Sequence, residues 1–238
     1  MAYINDKQIL KAIVHIDRYE DGQKAKYDEF WNSFQNSGSR TDYVYAFAGV
    51  GWMSNPLFPP KYHINSPSRC FGMFAYFNFN TDKTQYDMTE ICKYVDFSGT
   101  NYCAQLFRNA MAKNITLNLS NCTNATEMFQ CHSGGSVDNI TLKITEKLSN
   151  TTNMFQACSD LKELRFTDDS VLATSLGLGD CKNLSKESII SVMSSLSHEV
   201  TGKKLVLSLT AVNNAFKDNN NDYINLVIQK SNWTIALA

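Results

Sequence analysis

The chain has 238 residues, 43% of them hydrophobic, which suffices for one large packed domain or two small ones. Its 22 basic and 23 acidic residues nearly cancel, and no Lys/Arg cluster interleaved with aromatics occurs, so the electrostatic footprint of general nucleic-acid binding is lacking. No apolar run approaches the roughly 20 residues of a membrane span. Asp6, Lys7 and Lys11 interrupt the N-terminal apolar positions, leaving no secretory h-region and implying a protein kept in the cytoplasm or released by lysis.

Residues 5 to 36 place Ile9, Ile13 and Ile16, then Tyr27, Phe30 and Phe34, at three-four spacing, with Asn5 or Asp6 available as a cap. Gly22 interrupts that seam. Residues 1–40 are therefore expected to form a helical arm, as two short helices or one imperfect coiled coil. The stretch "NSGSRTDY" ends it, and the prolines at 56, 59 and 60 favour an extended surface path.

From 41 to 184 one pattern recurs: a bulky pair ending in Phe, a polar turn, then an alternating apolar run. The anchors are Phe47, Phe74, Phe107, Phe129 and Phe155, in steps of 27, 33, 22 and 26 residues. The strand signals are more regular. Val95 and Phe97 precede Ile115 and Leu117 by 20 residues, Ile140 and Leu142 follow 25 later, and Leu164 and Phe166 follow 24 after that. Period-two alternation marks half-buried strands, and near-equal spacing lets them stack in parallel. A helix-like turn is expected through "YDMTEICK". The pattern predicts an α/β fold, a solenoid with a parallel sheet on one wall.

Residues 185–238 read as an α-β-α-β cap that continues the sheet. Ser185 caps a helix with Ile189, Ile190, Met193 and Leu196 on one side; "KKLVLSLT" is a strand; Thr210 caps a helix through "AVNNAFKDNNNDYINLVIQK"; "NWTIAL" closes as a strand. Phe216 is expected to take a place like that of the repeat phenylalanines.

Seven cysteines, an odd number without a C-x-x-C pair, are expected to be buried free thiols. The four histidines are dispersed, so no metal site is predicted. There is no nucleophile elbow, P-loop, H-E-x-x-H or dinucleotide fingerprint; "GVG" at 49–51 and "GLG" at 177–179 read as turns, and adjacent carboxylates such as Glu20-Asp21 and Asp168-Asp169 as solvated surface. No catalytic residue, enzyme activity or cofactor is predicted. Eight N-x-S/T triplets, at Asn114, Asn118, Asn121, Asn124, Asn139, Asn150, Asn183 and Asn232, read as products of tight turns whose side chains satisfy backbone groups, not as glycosylation sites.

Aromatic density peaks at "FGMFAYFNFN", with Tyr86, Tyr94 and Tyr102 nearby. Such residues fill repeat cores, and they also dock proteins or sugars. The candidate binding residues are Phe71, Tyr76, Phe79, Tyr86 and Tyr102, and exposure of Tyr76 and Tyr102 separates the two readings.

The unit "NMFQACSDLKELRF", with Phe155, Cys158, Leu161 and Leu164, resembles the bacterial leucine-rich repeats of the BspA-like type. The units at Phe107 and Phe129 keep the Phe and the strand but lack the Cys. The segments "KAKYDEFWNSFQNSGSRTDYVYAFAGVGW", "PKYHI" and "LSLTAVNNAFKDN…KSNWTIAL" are similar to leucine-rich-repeat proteins of phages and prophages of gut Firmicutes. That resemblance implies a noncatalytic tail- or baseplate-associated structural or receptor-binding protein in a virion, acting on a protein or a surface glycan, with a homo-oligomer as one option. The alternative is a phage-encoded protein in the host bacterial cytoplasm that inhibits a host defence or regulatory protein.

Overall fold

The computed structural model describes residues 64–65, 68–78, 84–132 and 134–238. The expected helical arm over 1–40, Phe47 and Phe79 lie outside them. Elements run in the order β1 (Ile64–Asn65), β2 (Tyr86–Asp87), α1 (Thr89–Tyr94), β3 (Val95–Asp96), β4 (Met111–Asn118), β5 (Ser136–Lys143) and β6 (Leu164–Phe166). There follow β7 (Leu176–Leu178), α2 (Lys186–Ser195), β8 (Lys203–Leu207), α3 (Leu209–Ala215), α4 (Asn220–Gln229) and β9 (Trp233–Leu237). The described residues thus form a mixed α/β fold in which the strand pairs are parallel, in sheets β1-β3, β2-β4-β5-β6 and β7-β8-β9.

The register of the central sheet follows the sequence spacing: Ile115 lies beside Ile140 and Ile140 beside Leu164, while Leu117, Leu142 and Phe166 form the next row. All six side chains are buried. Alternation fails at one residue in each long strand. Asn114 (φ 56°) and Asn139 (φ 47°) are left-handed and drop out of the ladder pairing. Asparagine tolerates that conformation, and the side chains rebuild the connection: Asn139 Nδ2 donates to Asn114 Oδ1 at 3.2 Å, and Asn114 Nδ2 to Asp87 Oδ2 at 2.8 Å.

The anchor turns are stacked as closely as the strands. Gln105, Phe107 and Asn109 donate their N–H groups to Thr126, Met128 and Gln130 of the following rung at 2.9, 2.7 and 2.7 Å. Leu106, Arg108 and Ala110, between them, donate back to Cys103, Gln105 and Phe107 in their own turn. This division is achieved by left-handed residues placed two before each of the four described anchors (Gly72, Gln105, Glu127, Asn153) and two after three of them (Tyr76, Asn109, Ala157). A left-handed non-glycine residue costs on the order of 1 kcal/mol, which the inter-rung hydrogen bonds offset.

Repetition at rung spacing stacks like on like. Phe74, Phe107, Phe129 and Phe155 form a buried column with centroid separations of 5.1, 5.7 and 5.3 Å and interplanar angles of 10°, 7° and 11°. These separations exceed the ~4.8 Å between strands, as an offset stack requires. Phe216 does not extend the column. It is buried against Tyr223, 5.5 Å away, with the Lys186 ammonium 5.2 Å from its ring. Thr151 Oγ1 donates to the Ser175 carbonyl and Ala157 N to Asp180, offsets of 24 and 23 residues that place Leu178 in the position after Phe155.

Several expectations are corrected. Val95 pairs with Ile64 rather than standing beside Ile115, and β4 takes β2 as its neighbour. The helix-like turn expected through "YDMTEICK" is present as helix α1, which lies against β4, and the Cys92 sulfur accepts from Thr116 N at 3.4 Å. The C-terminal strands do not continue the central sheet, because α2 occupies the place beside β6. There the Ser188 and Ser191 hydroxyls accept from Leu164 N and Phe166 N, each at 2.9 Å. Ser185 caps α2 as expected, but Ile190 faces outward and Val192 inward. Thr210 lies inside α3, and the poor helix formers of "KDNNN" split the expected long helix in two, Asn219 capping the second. "GLG" at 177–179 is not a turn, since Gly177 and Leu178 belong to β7.

Two substitutions test the stack. Phe129→Ala, which removes a ring from the middle of the column, is expected to lower unfolding free energy by about 3–5 kcal/mol in urea denaturation, whereas Phe155→Leu at its end costs under about 1.5 kcal/mol. A Cβ at Gly135 would lie 2.5 Å from Asn109 Cα and 2.6 Å from its carbonyl carbon, whereas one at Gly177 meets nothing within 4 Å. Gly135→Ala is therefore expected to cost at least about 2 kcal/mol, while Gly177→Ala is neutral or slightly stabilising, read as shifts in melting temperature.

Candidate interaction surface

The four described aromatic candidates fall into separate settings. Phe71 and Tyr102 are half-buried neighbours, ring centroids 6.0 Å apart at 32°, and the Arg69 guanidinium carbon stands 5.9 Å from the Tyr102 ring. Tyr86 is half-buried, edge-on to the fully buried Phe77 at 5.5 Å and 84°. Tyr76, at φ 55°, is 40% exposed. The segment therefore divides: Phe74 and Phe77 are core, Phe71, Tyr86 and Tyr102 straddle the surface, and Tyr76 faces solvent. Phe71 and Tyr102 are brought together; Tyr86 makes its described ring contact with Phe77 instead.

A second surface was not singled out by sequence reasoning. On the polar face of β2, β4 and β5 Asp87 stands beside Lys113 and Lys113 beside Asp138, a row of alternating charge in which Asp138 is buried and covered by the exposed Lys162. Lys162 Nζ reaches Asp138 Oδ2 at 2.8 Å, and this contact raises the lysine's pKa above its ordinary value. The hydrogen bonds from Thr89 hold the Asp87 carboxyl below the usual range, with help from Asn114 and Lys113. A parallel row runs from Thr116 through Thr141 to Arg165, and another from Asn118 to Lys143, which pairs with Asp169. Along one margin Gln85 Nε2 donates to Ser136 Oγ at 2.8 Å, and Ser136 donates to Asp160 Oδ2 at 2.9 Å. The signal for this surface was present in the polar positions of "KNITLN" and "DNITLK", which recur at the spacing that defines the strands.

The asparagines of the eight triplets all bond to backbone or to one another. Asn118, Asn124 and Asn150 accept from the N–H two residues on, at 3.2, 2.9 and 3.0 Å. Asn121, Asn183 and Asn232 donate to the carbonyls of Ser98, Ser159 and Ser197 at 2.7, 2.8 and 2.9 Å. Asn114 and Asn139 form the ladder inside the strands.

The cysteines are free, six of them buried and Cys92 half-buried. Cys70 and Cys103 approach to 3.7 Å, as do Cys131 and Cys158. Burial raises the Cys92 thiol to about 11, and burial followed by hydrogen bonding to Cys131 raises Cys158 far above its normal value. Cys122 is raised by its contact with Cys103 and by burial, and Cys181 by burial and then Asp180. Thiols so placed hold little thiolate at pH 8. An aromatic disulfide reagent at that pH is expected to react slowly with the native chain and rapidly with all seven thiols in guanidinium; a fast native phase of several thiols would show that the column opens.

Among the described residues no group of three or more His, Cys, Asp or Glu side chains could hold a metal ion, and no helix is long and apolar enough to cross a membrane. His132 and His198 are exposed and far apart in sequence, and His198 Nε2 lies 3.1 Å from the ammonium of buried Lys230, whose pKa is lowered by desolvation. His15 and His63 lie outside the described residues. Fold and surface together define a mixed α/β protein with parallel sheets and a polar strand face. No protein-family model, curated protein or solved structure matches the chain.

Proposed function

We propose that the chain is a noncatalytic binding protein of leucine-rich-repeat-like solenoid build, serving in a phage or prophage particle as a tail- or baseplate-associated structural or receptor-binding component. The particle context comes from the resemblance of the Phe155 unit and the two terminal segments. The observation that carries a binding role is the strand face, where charged and hydroxyl side chains stand in rows and are tied to one another across strands. Side chains already ordered by neighbours lose little entropy when a partner docks, so such a surface favours recognition. The Arg69–Tyr102–Phe71 cluster adds an aromatic element suited to a protein or glycan contact.

Mass spectrometry of purified particles is expected to find the protein at structural stoichiometry. Thr116→Arg and Thr141→Arg, which place bulk on the face without touching the core, are expected to abolish capture of the target at an unchanged melting temperature. Particles that lack the protein would overturn the structural role, and undiminished capture by both variants would overturn the face.

The buried, unoxidised cysteines favour a second reading, since free thiols in number suit a reducing compartment. Under it the protein acts in the host bacterial cytoplasm by occupying a defence or regulatory protein. One stoichiometric host partner recovered from infected cells, together with absence from particles, would select it.

A further inference from the structure

The central sheet closes its own margins. Helix α1 offers the Cys92 sulfur to Thr116 N on one side, and α2 offers two serine hydroxyls to β6 on the other. The outer edge of β9 has no equivalent among the described residues, where β9 pairs with β8 alone. Ala238 donates to the Leu207 carbonyl at 3.0 Å and accepts from Leu209 N at 2.9 Å, so its backbone groups face β8. By alternation Thr234 and Ala236 also face β8, and Ile235 and Leu237 turn their N–H and C=O groups outward.

Free strand edges are ordinarily guarded by charge, proline or a covering element. The segment from 231 to 238, "SNWTIALA", contains no charged residue and no proline. Leu237 is 43% exposed, and Ile224 and Ile228, one turn apart on α4, are 48% and 65% exposed.

We infer that this edge pairs antiparallel with the same strand of a second copy, closing a two-fold dimer. Outward backbone groups at alternate residues form a template that another strand matches group for group. The strand is its own suitable partner because it is uncharged, so facing itself brings no like charges together. Setting Ile235 opposite Leu237 of the second copy pairs the outward groups of both residues, and the symmetry closes the contact instead of propagating it. The inference is independent of the proposed function, which requires no particular oligomeric state.

Sedimentation equilibrium of the full chain over roughly 1–100 μM is expected to give the mass of two chains. Ile235→Pro deletes an outward N–H while leaving the bonds to β8, and is expected to weaken dimerisation roughly tenfold or more. Leu237→Lys, which keeps the backbone intact and introduces a charge, is expected to do the same. Circular dichroism and melting of both variants at low concentration should match the parent chain. A single-chain mass at the highest concentration, an assembly larger than two, or dimers that persist in both folded variants would each overturn the inference. Should Ile235→Pro fail to fold, Leu237→Lys alone decides.

Discussion

The structure depends on one constraint: a rung of this chain cannot satisfy its own backbone and must hand half its polar groups to the next rung. In the strands that transfer is the ordinary parallel ladder. In the anchor turns it is accomplished by a left-handed residue two before the Phe, joined in three turns by another two after it, so that Gln105, Phe107 and Asn109 N–H point forward while Leu106, Arg108 and Ala110 point back. Once both lines are bonded at rung spacing, every side-chain position becomes a column. Phenylalanine then stacks on phenylalanine from Phe74 to Phe155, and Asn139 lies on Asn114. Cysteines follow the same rule where Cys103 lies on Cys70 and Cys158 on Cys131, and burial raises the pKa of Cys158.

The same constraint makes the ends of a stack costly, since a terminal rung leaves donors and acceptors unmatched. The central sheet solves this with side chains. At β6 the rung that should follow is a helix, and its serines accept from the two N–H groups a strand would have bonded. The strand line then moves across to the anchor side, where β7, β8 and β9 pair in their turn. The change of line explains why Phe216 lies apart from the ring column and why Leu178 follows Phe155.

How much of this was legible in the sequence depends on whether a feature was periodic. The 25- and 24-residue spacing of Ile115, Ile140 and Leu164 gives the observed register directly, and Phe74, Phe107, Phe129 and Phe155 are the core column they were expected to be. Cap chemistry was legible at Ser185. The helical turn of "YDMTEICK" was legible; what failed was placement in short segments, since that helix lies against β4 while Val95 pairs with Ile64, and an apolar "LGL" is a strand where glycines suggested a turn. The break within "KDNNN" was visible as poor helix propensity, yet the apolar positions on either side, Val212 and Ile224, invited one continuous helix. The strand face escaped notice because its residues are individually ordinary, and only the register sets Asp87, Lys113 and Asp138 in a row.

The asparagine content bears directly on where function can reside. Eight N-x-S/T triplets in one chain would ordinarily suggest a modified surface, but the side chains concerned bond to backbone, to one another or to an adjacent rung. They belong to the architecture, as the anchor phenylalanines do, and a substitution at either class reports on stability before it reports on binding. The charged members of the strand rows share that duty in part, through pairs such as Lys162–Asp138 and Lys143–Asp169. Thr116 and Thr141 can change without loss of a rung contact, and Tyr76 already faces solvent, so variation at these positions alters what a partner meets while the stack beneath remains in place.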